Sequence, residues 1–226
     1  MPDGAENLNM LQIHAIESMP FAENSYIVWR AGQREAFVID PGFEPELILD
    51  FLKAKSLVIV GIVNTHGHVD HIAGNAALKG AFPDAPILIG EHEAEFLTDA
   101  QVNMSAKYGV AVVSPPADRL VKDGEMITVA GIALDVREIP GHSPGHVVYV
   151  VHEMTPKWVL GGDVLFEGSV GRTDFPGGSF ATLKAGIEAK LWPLPDDTRV
   201  FPGHGSSTTI GIEKRTNPYV GLESGD

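Results

Sequence analysis

The chain has 226 residues, 44% of them hydrophobic and 20% charged, with a formal net charge of −14 and no cysteine. That length and composition suit a single globular domain over residues 1–226, able to bury a core without disulfides. The missing cysteines exclude a thiolate metal site, and the acidic balance argues against nucleic acid as a partner. The start, MPDGAENLNMLQ, has neither a basic segment nor an apolar h-region. No apolar run approaches the roughly 20 residues of a membrane span, so the expectation is a soluble, cytoplasmic protein with no membrane contact.

In chain order, NSYIVWR and EAFVIDPG (Asn24 to Arg30, Glu35 to Gly42) predict a hairpin turning near Ala31–Gly32. EPELILDFLKAKS predicts an amphipathic helix, and the β-branched LVIVGIVNTH a buried strand. A helix is predicted from Asp70 to Phe82, ended by Pro83, then the strand APILIG and a helix from Glu91 to Asp99. The second half is richer in strands: EMITVAG with IALDVREIPG, and HVVYVVH with KWVLGGD, each pair as a hairpin. A glycine-rich loop, FEGSVGRTDFPGGS, leads to a helix from Phe180 to Leu191, the strand TRVFPGHG and a polar C-terminal stretch. Short apolar strands alternating with helices, without a linker or a long repeat, predict an α/β layered architecture.

Histidines are unevenly placed. Of nine in the chain, three fall with an aspartate inside THGHVDH. His66 and His68 stand two residues apart at a strand end and so point to one side. Asp70 and His71 follow where a helix begins, and Gly67 lets the chain turn without a Cβ penalty. Three later stretches repeat the pattern: LDVREIPGH ends on His142, KWVLGGD on Asp163 and TRVFPGH on His204. Each time a buried strand ends, a glycine turn opens, and an imidazole or carboxylate appears, the usual ligands of zinc and non-haem iron. Ligands in layered α/β proteins gather beyond the carboxyl ends of strands. If these strands lie side by side, His66, His68, Asp70, His71, His142, Asp163 and His204 converge. That set is too large for one tetrahedral zinc. It suits two divalent ions sharing Asp163, one with His66, His68 and His142 and the other with Asp70, His71 and His204. The same ligands accept zinc, the first expectation, or iron or manganese.

His14, His92 and His152 read as surface or satisfied groups, and His146 as a structural or supporting residue. Asp40, ending a strand before Pro41–Gly42, is either a turn former or, the favoured reading, a carboxylate that orients a ligand histidine.

THGHVDH, PGHSPGH, GGD and FPGHG in this order, with VIDPG around Asp40, resemble the metallo-β-lactamase superfamily from about Asn24 to Pro218. The resemblance implies a four-layer αββα sandwich with its metals at one edge of the sheets. Superfamily lactamases that use a cysteine ligand are excluded here, other lactamase groups generally lack the bridging aspartate, and the nuclease branches carry basic exosites or an added domain. GDVLFEGSVGRTDFPGGS and FPGHGSSTTIGIEKRTNPYV resemble the short bacterial glyoxalase II-like proteins, which lack a helical C-terminal substrate domain.

The resemblance therefore implies hydrolysis of a small thioester, S-lactoylglutathione or a relative, by a metal-bridging hydroxide, with Asp70 and Asp163 in the catalytic centre. Arg172 either meets a substrate carboxylate or pairs with Asp174 to shape the loop, and Phe175 covers the site. Lys214, Arg215 and Asn217 bind substrate or, as favoured, pin the C-terminus. An alternative is a mononuclear iron persulfide dioxygenase, holding iron through His66, His142 and Asp163. That family shares GRTDF but usually continues the last motif with Asp-Tyr, where this chain has Gly205–Ser206. A lesser alternative is a non-catalytic metal-binding module, which predicts eroded ligands.

Overall fold

The computed structural model describes residues 10–222; residues 1–9, which include most of the start read above for a secretory leader, and residues 223–226 lie outside them. The first six strands, β1 (Leu11–Ser18), β2 (Glu23–Arg30), β3 (Glu35–Ile39), β4 (Val58–Val63), β5 (Ile87–Gly90) and β6 (Arg119–Val121), form one sheet in sequence order. Its first three strands pair antiparallel. From β3 onward the pairing is parallel, and the crossovers carry α1 (Pro45–Lys55), α2 (Val69–Ile72), α3 (Asn75–Ala81) and α4 (Ala94–Thr98).

The second sheet begins with an antiparallel meander of β7 (Met126–Val129), β8 (Ile132–Glu138), β9 (Val147–Val151) and β10 (Trp158–Gly162). A small hairpin, β11 (Leu165–Phe166) with β12 (Ser169–Val170), and the helix α5 (Phe180–Lys190) follow. Then β13 (Arg199–Pro202) joins β10 in parallel, β14 (Thr208–Thr209) closes the edge, and α6 (Ile210–Thr216) packs outside.

Two sheets face to face with helices on both outer sides give an αββα sandwich, and the side-chain parity of the strands explains it. Phe37 and Ile39 of β3 point inward with Val136, Tyr149 and Leu160 of the other sheet. Val38, between them, points outward to Ile48 and Leu52 of α1. On β9, Val148 and Val150 face outward to Leu183 and Ile187 of α5. Strands buried on both faces need apolar residues at every position, which is why VVYVV, and AFVI after the exposed Glu35, read as unbroken hydrophobic runs. Among the described residues, no helix is long and apolar enough to cross a membrane.

The structure departs from the sequence expectations in particular places. The strand β1 was not anticipated; its edge position leaves several residues part-exposed, which breaks the apolar pattern. The helix expected from Asp70 to Phe82 divides into α2 and α3, since Gly74 packs against the turn at Pro41–Gly42 and its N–H donates to the Pro41 carbonyl at 2.8 Å. The segment from Glu91 to Asp99 is a 3-10 turn over Glu91–Glu93 followed by α4. The polar C-terminal stretch contains β14 and α6.

The four strands that end in metal-type residues do not lie side by side in one sheet. β4 belongs to the first sheet and β8, β10 and β13 to the second, with β9 between β8 and β10. Their ends meet because both sheets finish at one edge of the sandwich. Tyr149 ties the sheets there, its buried hydroxyl donating to the Asn64 carbonyl at 2.8 Å. Replacing Tyr149 with Phe leaves that carbonyl without its side-chain donor, and we expect a loss of about 1–3 kcal/mol in urea unfolding, with the fold retained by circular dichroism.

Candidate metal centre

The early cluster is shaped by buried packing. After β4, Asn64 and Thr65 carry the chain to His66. The N–H of Gly67 donates to Glu93 Oε2 at 3.0 Å, and a Cβ at Gly67 would collide with the Phe96 side chain. Close approach, not a left-handed backbone, is what requires glycine there. Gly203 stands in the same relation to the centre itself, since a Cβ would press on Asp163 Oδ1 and His71 Cε1.

The seven predicted side chains converge as two groups around Asp163. In the first, His142 Nε2 lies 3.3 Å from His66 Nε2 and 2.8 Å from His68 Nδ1. In the second, His204 Nε2 lies 3.3 Å from Asp70 Oδ2, and His71 Nε2 lies 3.8 Å from the same oxygen. Asp163 faces both groups: Oδ2 is 3.5 Å from His142 Nε2 and 3.6 Å from His204 Nε2, while Oδ1 is 3.4 Å from His71 Nε2. Ligand atoms 2.0–2.1 Å from a tetrahedral ion are separated by about 3.3–3.4 Å, so most of these distances match edges of a coordination polyhedron. His71 Nε2 and Asp163 Oδ1 are buried with no hydrogen-bond partner. Two such orphaned atoms facing one another are rare in a folded protein and fit a cation between them. Imidazole and carboxylate donors suit zinc or iron.

Behind the centre, acceptors fix which nitrogen of each ring carries the proton. His71 Nδ1 lies 3.0 Å from Asp40 Oδ2, His142 Nδ1 2.8 Å from the Arg172 carbonyl, and His204 Nδ1 3.2 Å from the Ala22 carbonyl. Each partner only accepts, so each Nδ1 donates and Nε2 is the nitrogen left to face the centre, where a cation would take the place of its proton. His66 Nδ1 lies 3.1 Å from Thr65 Oγ1, whose own proton goes to Asp40 Oδ2 at 2.6 Å. Asp40 also accepts the Thr65 N–H at 2.7 Å. Asp40, His66 and His71 form a third grouping of metal-type atoms, but the Asp40 oxygens are taken up by Thr65 and His71, which leaves it behind the centre. It holds this place with φ at +46°, an uncommon conformation outside glycine.

The electrostatics separate the two groups. Burial holds His68 down to about 3 and places His66 and His142 below the ordinary histidine range as well, so this trio is neutral at pH 7. Burial also disfavours a charged His71, but Asp163 and Asp70 beside it outweigh that and raise it well above its usual value. His204 is raised against its burial by the hydrogen bond to Asp70 and the charge of Asp163. Burial would raise Asp163 and Asp70, yet the neighbouring imidazoles hold both carboxyls below their ordinary range.

The remaining predicted residues lie around this centre. His146 accepts the Asp163 N–H on Nε2 at 3.0 Å, so that nitrogen is taken up by the backbone of Asp163. Arg172 is paired through two hydrogen bonds with Asp174, at 2.7 and 2.6 Å, and its guanidinium lies 4.2 Å from the Phe175 ring. Phe175 meets His68 edge-on at 5.2 Å. Both line a cavity of about 340 Å³ that opens over the metal-type residues and is walled by Phe21, Met104, Tyr108 and Phe166. Lys214 and Arg215 bond Trp192 and Asp196, and Asn217 bonds the Ser169 carbonyl. The tail therefore pins α6 to the hairpin beside the cavity and does not enter it.

Sequence reasoning missed three groups. Glu93 is fully buried, and its oxygens accept the N–H groups of Gly67 and Gly145 at 3.0 and 2.8 Å. Asn24 brackets the His204 loop, donating to the carbonyls of Pro202 and Gly205 at 3.1 and 2.9 Å. Glu23, also fully buried, points Oε1 at His71 Nδ1 from 4.0 Å. Burial raises the Glu23 carboxyl well above its usual range.

The chain belongs to the metallo-beta-lactamase superfamily, whose family model matches residues 19–204. It is 35% identical to the hydroxyacylglutathione hydrolase GloC of Haemophilus influenzae, over 95% of this chain and 100% of that one. Among solved structures, it matches the BLEG-1 B3 metallo-beta-lactamase with a TM-score of 0.88 and 35% identity, covering 92% of this chain and 99% of that one. It also matches TTHA1623, solved in a di-iron-bound form, with a TM-score of 0.80 and 36% identity over 91% of this chain and 99% of that one.

Asp40 serves both His66, through Thr65, and His71. Replacing it with Asn keeps the shape but sets an amide NH2 against either the Thr65 N–H at the Oδ1 position or the Thr65 hydroxyl and the His71 Nδ1–H at the Oδ2 position, and we expect affinity for zinc to fall about 10–100-fold, read by competition with a chelating dye.

Proposed function

We propose that this protein is a binuclear metal-dependent hydrolase acting on a small thioester, with S-lactoylglutathione as the first substrate to test. His66, His68 and His142 would hold one ion, Asp70, His71 and His204 the other, and Asp163 both. The observation that carries the reading is the position of Asp163, whose two oxygens lie 3.4–3.6 Å from three imidazole nitrogens drawn from both groups. Zinc is the first expectation, and the di-iron form of TTHA1623 supports an iron pair as the second.

Two divalent ions so held would make a water nucleophilic at neutral pH and polarise the acyl carbonyl. The chain's own residues do the rest. Asp70 and Asp163 are held ionised, so both act as acceptors and neither as an acid. A thiol has a pKa of about 8.5 and leaves readily as its anion, so cleavage of a thioester does not demand a proton donor from the protein. The outward-pointing Nδ1 protons of His71, His142 and His204 keep their rings from turning as charge develops. Phe175, Phe166, Phe21 and Tyr108 wall the approach, and a cavity of about 340 Å³ lies at the small end of ligand sites. Arg172 and Phe175 form its outer rim, with Arg172 already engaged by Asp174.

The similarity to GloC supports a glutathione thioester. The similarity to BLEG-1 favours a second reading, a β-lactam, whose amide is opened by the same kind of attack. The test is metal analysis of the purified protein beside turnover of S-lactoylglutathione and of a β-lactam panel. We expect two equivalents of metal and thioester hydrolysis, and in Asp163→Ala loss of at least one equivalent with activity down about 100-fold or more. Near-normal turnover in Asp163→Ala would sink the assignment. Oxygen uptake with glutathione persulfide, in place of hydrolysis, would move the protein to the dioxygenase reading.

A further inference from the structure

The described residues contain one buried carboxylate that touches two of the loops bearing metal-type residues without reaching the centre itself. Glu93 sits in the 3-10 turn after β5, with no solvent exposure. Its Oε2 accepts the N–H of Gly67, the residue between His66 and His68. Its Oε1 accepts the N–H of Gly145, three residues after His142 and directly before His146. One loop springs from the first sheet and the other from the second. The single rigid carboxylate thus sets the spacing between the backbone that carries His66 and His68 and the backbone that carries His142. His204 is held otherwise: Asn24 and Tyr26 of β2 grip the carbonyls of Pro202 and Gly205, with no contact to Glu93.

We propose that Glu93 is a positioning residue for the three-histidine half of the centre alone. The inference rests on the metal-pair reading above. Its physical ground is that a carboxylate can accept two backbone N–H groups at once, one on each oxygen, whereas no uncharged isostere can. A glutamine offers one oxygen, and its amide nitrogen must face the other N–H. The loops then separate on one side, and the lone pairs of His66, His68 and His142 lose their common focus. Asp70, His71 and His204 keep theirs, because His71 is held at its ring by Asp40 and at its carbonyl by Asn64, and the His204 loop by Asn24, none of them through Glu93.

The test is stepwise cobalt(II) loading of the metal-free protein, with affinities from chelator competition and coordination followed by visible absorption. In Glu93→Gln we expect one of the two equivalents to weaken about 10-fold or more, with its absorption band altered and the other equivalent within twofold of the unaltered protein. Asn24→Ala should weaken the opposite equivalent. Glu93→Asp, which keeps the charge but is too short to span both loops, should weaken the same equivalent as Glu93→Gln and serves if the glutamine variant does not fold. Loss from both equivalents alike, or no loss from either, overturns the proposal. A merely structural role predicts uniform loss with unchanged band shapes. If the unaltered protein takes up a single ion, the metal-pair reading falls and this inference with it, and that outcome is seen before any variant is made.

Discussion

A cluster of buried imidazoles can exist only if their protons point away from one another. His66, His71, His142 and His204 each turn Nε2 toward a common centre, and each must then find an acceptor for the proton on the other side of the ring. Those acceptors are a threonine hydroxyl, a carboxylate and two backbone carbonyls. Much of the surrounding structure follows from placing these four groups correctly. Asp40 adopts a left-handed backbone to do it, and Thr65 relays its hydroxyl proton to Asp40 so that it can still accept from His66.

The same constraint explains why the centre lies between two sheets. No single loop can supply both an inward lone pair and the outward acceptor for every ring. Here the acceptor for a histidine often comes from a distant segment: the Ala22 carbonyl, just before β2, for His204 of the second sheet, and the Arg172 carbonyl for His142. The sandwich edge brings these strand ends together while the apolar faces pack behind them, so hydrophobic burial and ligand geometry are satisfied by one arrangement. Glycines at Gly67 and Gly203 let the loops approach closely enough for the distances to close.

The seven metal-type residues stood out in the sequence because they cluster at the ends of apolar strand segments with glycines close by, which are strong local signals. The central strands were legible for the same reason. What the sequence hid depends on contacts between distant segments. Glu91, Glu93 and Glu95 look alike in EHEAEFL, and only the 3-10 turn decides that Glu93 faces inward. Asn24 reads as an ordinary strand residue until β13 is laid beside β2. β1 and α6 carry too few buried residues to show a period, and Gly74 divides a helix that local propensity would continue. Arg172 and Asp174, two residues apart, pair with each other, an outcome that sequence left open since both partners of Arg172 were chemically suitable.

The edge and the rim of the site answer to different demands. The edge is built from strand ends and buried hydrogen bonds, where a displacement of a few tenths of an ångström would spoil a ligand focus. The rim is built from loops: Met104 and Tyr108 on one side, Phe166 and Phe175 on the other, with Lys107 reaching to within 5.4 Å of the Phe175 ring across the gap. Loops tolerate change far better than a packed edge. A fold can therefore keep one such centre while its rim varies: the two relatives, each 35% identical to this chain, are named for different activities, hydroxyacylglutathione hydrolase and B3 metallo-beta-lactamase. For this chain the rim is aromatic, with one lysine over the Phe175 ring and an arginine already paired with Asp174, so the loops and not the strand ends give the approach to the centre its shape and charge.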